Sequence, residues 1–170
     1  MLGIRPDLLY AINKVVQYTS CYNNLYWTAI KHIFRYIKGT KSYMLNLGDK
    51  GVSGSTITVN LSSACDADWA GDLDDRRSTT GYFFYLDDGG AISWQTRKQS
   101  SVATSSMQAE YQALSMATKE AIWLCELLKD LGFTQGSTTI QQDNQSTIAL
   151  AKNPIHHARI KHINIQHYYI

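Results

Sequence analysis

Three acidic side chains, Asp66, Glu110 and Asp143, stand at the margins of stretches patterned as regular structure. Those are the places from which a fold can gather hard oxygen donors onto one spot. Carboxylates so gathered suit a hard cation such as Mg²⁺, as a metal-dependent nuclease needs. At ~4 Å apart, like charges repel by roughly 4 kcal/mol per pair at an effective dielectric near 20, so a cluster of this kind implies a cation. Asp68 competes with Asp66 for the first position, because residues two apart in a strand share a face. Spacing alone also permits a plainer reading. In it Asp66 is a turn residue, Glu110 an acid that suits a helix N-terminus and Asp143 the N-cap of the next helix.

Other residues offer weaker chemistry. Arg76, Arg77, Arg97, Lys98, Lys152, Arg159 and Lys161 are candidates for phosphate contacts, with Ser78 beside the first pair. Asn144 and Gln145 suit either hydrogen bonding in a minor groove or capping of the helix after them. Ordinary solvated charge is the alternative for the basic residues. His156, His157, His162 and His167 lack both the tight spacing and the cysteine partners of a zinc site. Cys21, Cys65 and Cys125, odd in number and far apart, read as reduced core residues. Trp69, Trp94 and Trp123 also read as core.

Positioning these groups falls to a chain of 170 residues, enough for one domain and a small appendage. Its formal charge of +2 is too small to argue for nucleic acid without local clustering. No apolar run is long enough to span a bilayer, and no secretory leader opens the chain, so an intracellular address is expected.

Apolar residues at helical spacing predict a helix over 6–18, with Pro6 in its first turn, and a second from Asn23 or Asn24 to a left-handed cap at Gly39. Gly48, Gly51 and Gly54 mark a polar break, and the domain boundary is placed there: 1–47 a helical segment, 48–170 the main domain. Strands are expected over 56–65, 82–86 and 91–95, the last two joined by the turn Asp87-Asp88-Gly89-Gly90. The longest helix begins at Ser105, whose spacing to Gln108 suits a capping box. Met107, Tyr111, Leu114, Thr118, Ala121, Cys125 and Leu128 form its buried stripe, and Gly132 ends it. A short buried strand over 138–142, a helix over 146–152 closed by Asn153-Pro154 and a basic tail, helical toward its end, complete the order. The fold class is α/β, in the α+β sense.

The words around the acids narrow the reading. Asp66-Ala67-Asp68-Trp69-Ala70-Gly71, then Asp74-Asp75-Arg76-Arg77-Ser78-Thr79-Thr80-Gly81-Tyr82, resemble the opening of the ribonuclease H domain of copia-type LTR retrotransposon Pol polyproteins. Ile92-Ser93-Trp94, Ser105-Ser106-Met107-Gln108-Ala109-Glu110-Tyr111, Lys119-Glu120-Ala121-Ile122-Trp123-Leu124, Asp143-Asn144-Gln145-Ser146, Ala149-Leu150-Ala151-Lys152-Asn153-Pro154 and Lys161-His162-Ile163 follow in that family's order. Arg5-Pro6-Asp7-Leu8 and Arg35-Tyr36-Ile37-Lys38-Gly39-Thr40 resemble its segment connecting to the reverse transcriptase.

The resemblance implies a ribonuclease H-like mixed five-stranded sheet flanked by helices, and hydrolysis of the RNA strand of RNA·DNA hybrids during reverse transcription. It also implies Asp66, Glu110 and Asp143 as catalytic ligands of two Mg²⁺ or Mn²⁺ ions, with the reverse transcriptase domain of the same polyprotein as partner. The implied setting is a cytoplasmic retroelement particle. Two departures stand out. The chain ends at Ile170, before the family's last strand and the helix that brings a fourth acid, and Asn164 stands where the family commonly has Asp. They leave a second function open, a non-catalytic remnant serving as a structural or nucleic-acid-binding module.

Overall fold

The computed structural model describes residues 3–21, 23–47, 59–87 and 89–152. The glycine-rich break, the strand start expected at Thr56, Asp88 of the hairpin turn and the tail from Asn153 onward lie outside these residues. So do Asn164, Arg159, Lys161 and the four tail histidines. The chain divides into two compact units, Met1–Leu47 and Gly48–Ile170. Among the described residues no helix is long and apolar enough to cross a membrane.

In the first unit Pro6 opens a 3-10 turn, Pro6–Leu8, that runs into α1 (Leu9–Val16). Asn23 caps α2 (Asn24–Gly39), its side chain accepting the Leu25 and Tyr26 N–H groups at 2.9 and 3.2 Å. Gly39 does not adopt the left-handed cap expected of it. It is the last helical residue, and Thr40 closes the turn by donating its hydroxyl to the Tyr36 carbonyl at 2.8 Å. The Arg5 guanidinium donates to both Asp7 oxygens, at 2.9 and 2.8 Å, and to the Thr40 hydroxyl at 2.7 Å. Only Leu8 and Thr40 are buried among this unit's described residues, and Trp27 and Phe34 stay 53% and 61% exposed. Leu9, Ile12, Val15, Ile30, Ile33 and Ile37 are partly buried, so among the described residues this unit covers its apolar side only in part.

The second unit contains a mixed sheet of four described strands in the order β3-β2-β1-β4. β1 (Leu61–Asp68), β2 (Thr79–Leu86) and β3 (Ala91–Lys98) are antiparallel neighbours, and β4 (Thr139–Gln141) runs parallel to β1. Cross-strand pairing carries each of the first three strands three residues beyond its expected C-terminal or N-terminal limit, so Asp66 and Asp68 lie within β1, not after it. Among the described residues β4 is a half-exposed edge of three residues, where a buried strand was expected. Along β1 the alternation buries Leu61, Ser63, Cys65 and Ala67 on one face.

That face packs on α3 (Ser106–Asp130): Leu61, Cys65, Tyr82 and Phe84 from the sheet meet Leu114, Ala117, Ala121, Leu124 and Leu128. Each large apolar side chain so buried stabilises the fold by about 1.5–3 kcal/mol. Ser105 caps the helix as expected, its hydroxyl accepting the Gln108 N–H at 3.2 Å. The Gln108 side chain reaches one residue further back than a capping box requires, to the Thr104 N–H at 2.7 Å. At the other end Gly132, with φ +91°, completes a Schellman turn in which Phe133 N–H bonds the Leu128 carbonyl at 2.8 Å. Of the expected stripe, Tyr111, Leu114, Ala121 and Leu128 are buried, while Met107, Thr118 and Cys125 are partly so. After β4, Asn144 caps α4 (Gln145–Lys152) by accepting the Thr147 N–H at 3.0 Å.

The core expected of every cysteine and tryptophan is only partly observed. Cys21 is exposed, and Trp69 and Trp123 are about half exposed. The Trp69 indole N–H donates to the Ala103 carbonyl at 3.0 Å, which holds the ring at the surface beyond β1.

Candidate metal centre

Asp66, Glu110 and Asp143 come together: each offers a carboxylate oxygen, and these atoms all lie within 4.8 Å of one another. Three local causes bring this about. β1 and β4 pair in parallel with Ala64 opposite Gln141, and carrying that register on by two residues sets Asp143 level with Asp66. Ala67, Ala103, Ala109 and Ala113 form a buried cluster of small side chains, so α3 approaches the end of β1 closely enough for Glu110 to arrive. Glu110 itself sits in the second turn of α3, on the buried side, and not at the helix N-terminus as in the plainer reading.

The electrostatics follow from that placement. Burial pushes the Glu110 carboxyl up to about 7; donation from Gln142 opposes the shift, as does the Ala67 backbone, and the charges of Asp66 and Asp143 add to it. Burial, with the same three carboxylates behind it, pushes the Cys65 thiol up to about 12. A protonated thiol is neither ligand nor nucleophile. The remaining donors are hard oxygens, of the kind that suits Mg²⁺ or Mn²⁺.

Asp68 stands outside the trio, and its carboxylate lies against Gly71, where a side chain would collide with it. Of the residues expected at nucleic acid, Arg76 and Arg77 are exposed in the loop that leaves β1, Arg76 at a left-handed φ of 56°. The Arg77 guanidinium lies 3.5 Å from Asp75. Ser78 is fully buried and accepts the Ala70 N–H at 3.1 Å, so its hydroxyl does not face solvent. Asn144 serves as the cap of α4, and Gln145 is exposed at that helix's start. Lys98 is engaged by Asp72 at 2.7 Å and Asp75 at 3.0 Å, which accounts for a charge otherwise assigned to phosphate.

Two contributors had no signal in the sequence. Asp72 is buried and organises the loop, accepting the Asp74 and Asp75 N–H groups while pairing with Lys98, whose hydrogen bond holds its carboxyl down at about 2. Gln142 reads as an ordinary strand-end residue, yet its amide donates to Glu110 at 3.1 Å.

No protein-family model matches the chain. The whole chain is 41% identical over 170 residues to the retrovirus-related Pol polyprotein from transposon TNT 1-94 of Nicotiana tabacum, and 39% identical over 167 residues to that from transposon RE2 of Arabidopsis thaliana. It spans only 12% and 11% of the length of those relatives. A 124-residue stretch, 73% of the chain, is 44% identical to 82% of the secreted RxLR effector protein 161 of Plasmopara viticola.

Proposed function

We infer the function from one premise, that this chain belongs to the family of the retrovirus-related Pol polyproteins of copia-type transposons. On that premise we propose that residues 48–170 form the ribonuclease H-like part of such a polyprotein and hydrolyse the RNA strand of RNA·DNA hybrids during reverse transcription. The observation that supports this most is the convergence of three carboxylates from β1, α3 and the end of β4.

Asp66, Glu110 and Asp143 would hold two Mg²⁺ or Mn²⁺ ions. When bound, the ions supply Lewis acidity at the scissile phosphate and its leaving oxygen. The chain's own part is to fix the ligand oxygens, to keep the Cys65 thiol protonated and out of the reaction, and to hold the hybrid. Arg76 and Arg77, exposed beyond β1, would meet backbone phosphates, and Gln145 is an exposed hydrogen-bonding group near Asp143. Discrimination of RNA from DNA would come from contacts to the ribose 2′-OH across the wide minor groove. The exposed Trp27 and Phe34 of the first unit are consistent with packing on the reverse transcriptase domain of the same polyprotein, in a cytoplasmic particle.

The test is cleavage of an end-labelled RNA·DNA hybrid with Mg²⁺ or Mn²⁺. RNA product is expected from the native chain, falling on the order of 100-fold or more in Asp66→Asn and Glu110→Gln. Product that persists in both variants overturns the site. Hybrid binding without cutting assigns the chain to the non-catalytic nucleic-acid-binding reading, and cutting gained by Asn164→Asp would place the defect at that residue.

A further inference from the structure

Gln142 lies between the last residue of β4 and Asp143, and its side chain joins three elements. Its Oε1 accepts two backbone N–H groups, from Asp143 at 2.8 Å and Asn144 at 3.2 Å. Two donors on one oxygen settle which way round the amide stands, because the opposite orientation would set NH₂ against N–H. The NH₂ group therefore faces the other way, 3.1 Å from Glu110 Oε2 and 3.6 Å from Cys65 Sγ. One half of the amide thus shapes the backbone that carries Asp143, and the other half grips the carboxylate of Glu110.

Glu110 reaches the trio through three rotatable bonds, and a carboxylate on such a stem has no fixed plane unless one oxygen is held. The Ala67 backbone and the Gln142 amide both bond to this carboxylate, and Gln142 is the side-chain donor, 3.1 Å from Oε2. It donates without bringing charge, so the negative potential of the cluster, on which cation binding depends, is left intact. An arginine or lysine at this position would satisfy the same oxygen but oppose a divalent ion.

We propose that Gln142 is a positioning residue of the metal centre: its amide sets the Glu110 carboxylate and the Asp143 backbone at the spacing a divalent cation requires. This rests on reading the trio as a cation site. Partners that orient metal ligands commonly cost 10–100-fold in metal affinity when removed, and Gln142 acts on two ligands at once.

The experiment is Mn²⁺ titration of the 170-residue chain, followed by calorimetry or by loss of the free-ion electron paramagnetic resonance signal, alongside thermal unfolding without cation. Gln142→Met keeps the length of the side chain and removes both hydrogen-bonding functions. Gln142→Asn keeps an amide but withdraws it by one methylene, and provides a second reading if the first variant fails to fold. Mn²⁺ affinity is expected to fall about 10–100-fold in each, with the cation-free unfolding temperature nearly unchanged. Native binding with both variants within about twofold overturns the positioning role alone. Affinity that falls only in step with loss of fold also overturns it. No Mn²⁺ binding by the native chain overturns this role together with the metal reading beneath it.

Discussion

Glu110 is where burial and charge meet most sharply in this protein. The residue is 7% exposed, and its carboxyl is pushed up from 4.5 to about 7, chiefly by burial. A carboxyl raised in the folded state stabilises the cation-free protein fully below the ordinary value of 4.5, and that contribution is lost as pH rises through 7. Neutral Glu110→Gln is therefore expected to raise cation-free stability at pH 8 by on the order of 2 kcal/mol, measured by denaturant unfolding, while abolishing Mn²⁺ binding. Cation and proton compete for the same oxygens. Mn²⁺ affinity of the native chain should climb between pH 5 and about 7 with release of a proton, then level off; a flat profile would contradict the burial of this group.

At the scale of elements, two contrasts are open to measurement. Gly39 and Gly132 each end a helix, but only Gly132 has a positive φ, and neither has a neighbour that a Cβ would meet. Gly132→Ala should lose about 1 kcal/mol to left-handed strain, whereas Gly39→Ala, inside a helical turn, should gain up to ~1 kcal/mol; equal effects in thermal melts would reject the assigned cap geometry. The alanine cluster between β1 and α3 is the second case. Ala113 is fully buried there, and Ala113→Leu should cost about 1–3 kcal/mol by overpacking. The added volume would also separate α3 from β1, so Mn²⁺ affinity should fall even where the variant is folded. Unchanged affinity would show that helix approach does not set the ligand spacing.

For the molecule as a whole, a net charge of +2 creates little long-range steering, so any hold on a hybrid must come from local contacts. Arg76→Ala and Arg77→Ala are each expected to lower the slope of log affinity against log salt by about 1, with similar losses across hybrid sequences. A slope unchanged in both would move phosphate binding elsewhere on the second unit. The first unit poses a different problem, since its apolar surface is covered only in part by its own described residues. Arg5 ties its start to Thr40 at the end of α2, and the Tyr18 and Tyr26 rings stack at 4.3 Å.

What could be read from residue order alone was what depends on near neighbours. Asn23 and Ser105 cap their helices as their positions suggest, Gly132 ends α3, and the three acids stand out because recognisable words surround them. The strand limits, the exclusion of Asp68, the burial of Ser78 and the pairing of Lys98 with Asp72 were decided only by tertiary structure. So was the grip of Gln142 on Glu110, a contact between residues 32 apart in the chain. The physical reason is range: a cap or a helical period is settled within a turn or two, whereas the path of a carboxylate or an amide depends on which distant element packs beside it.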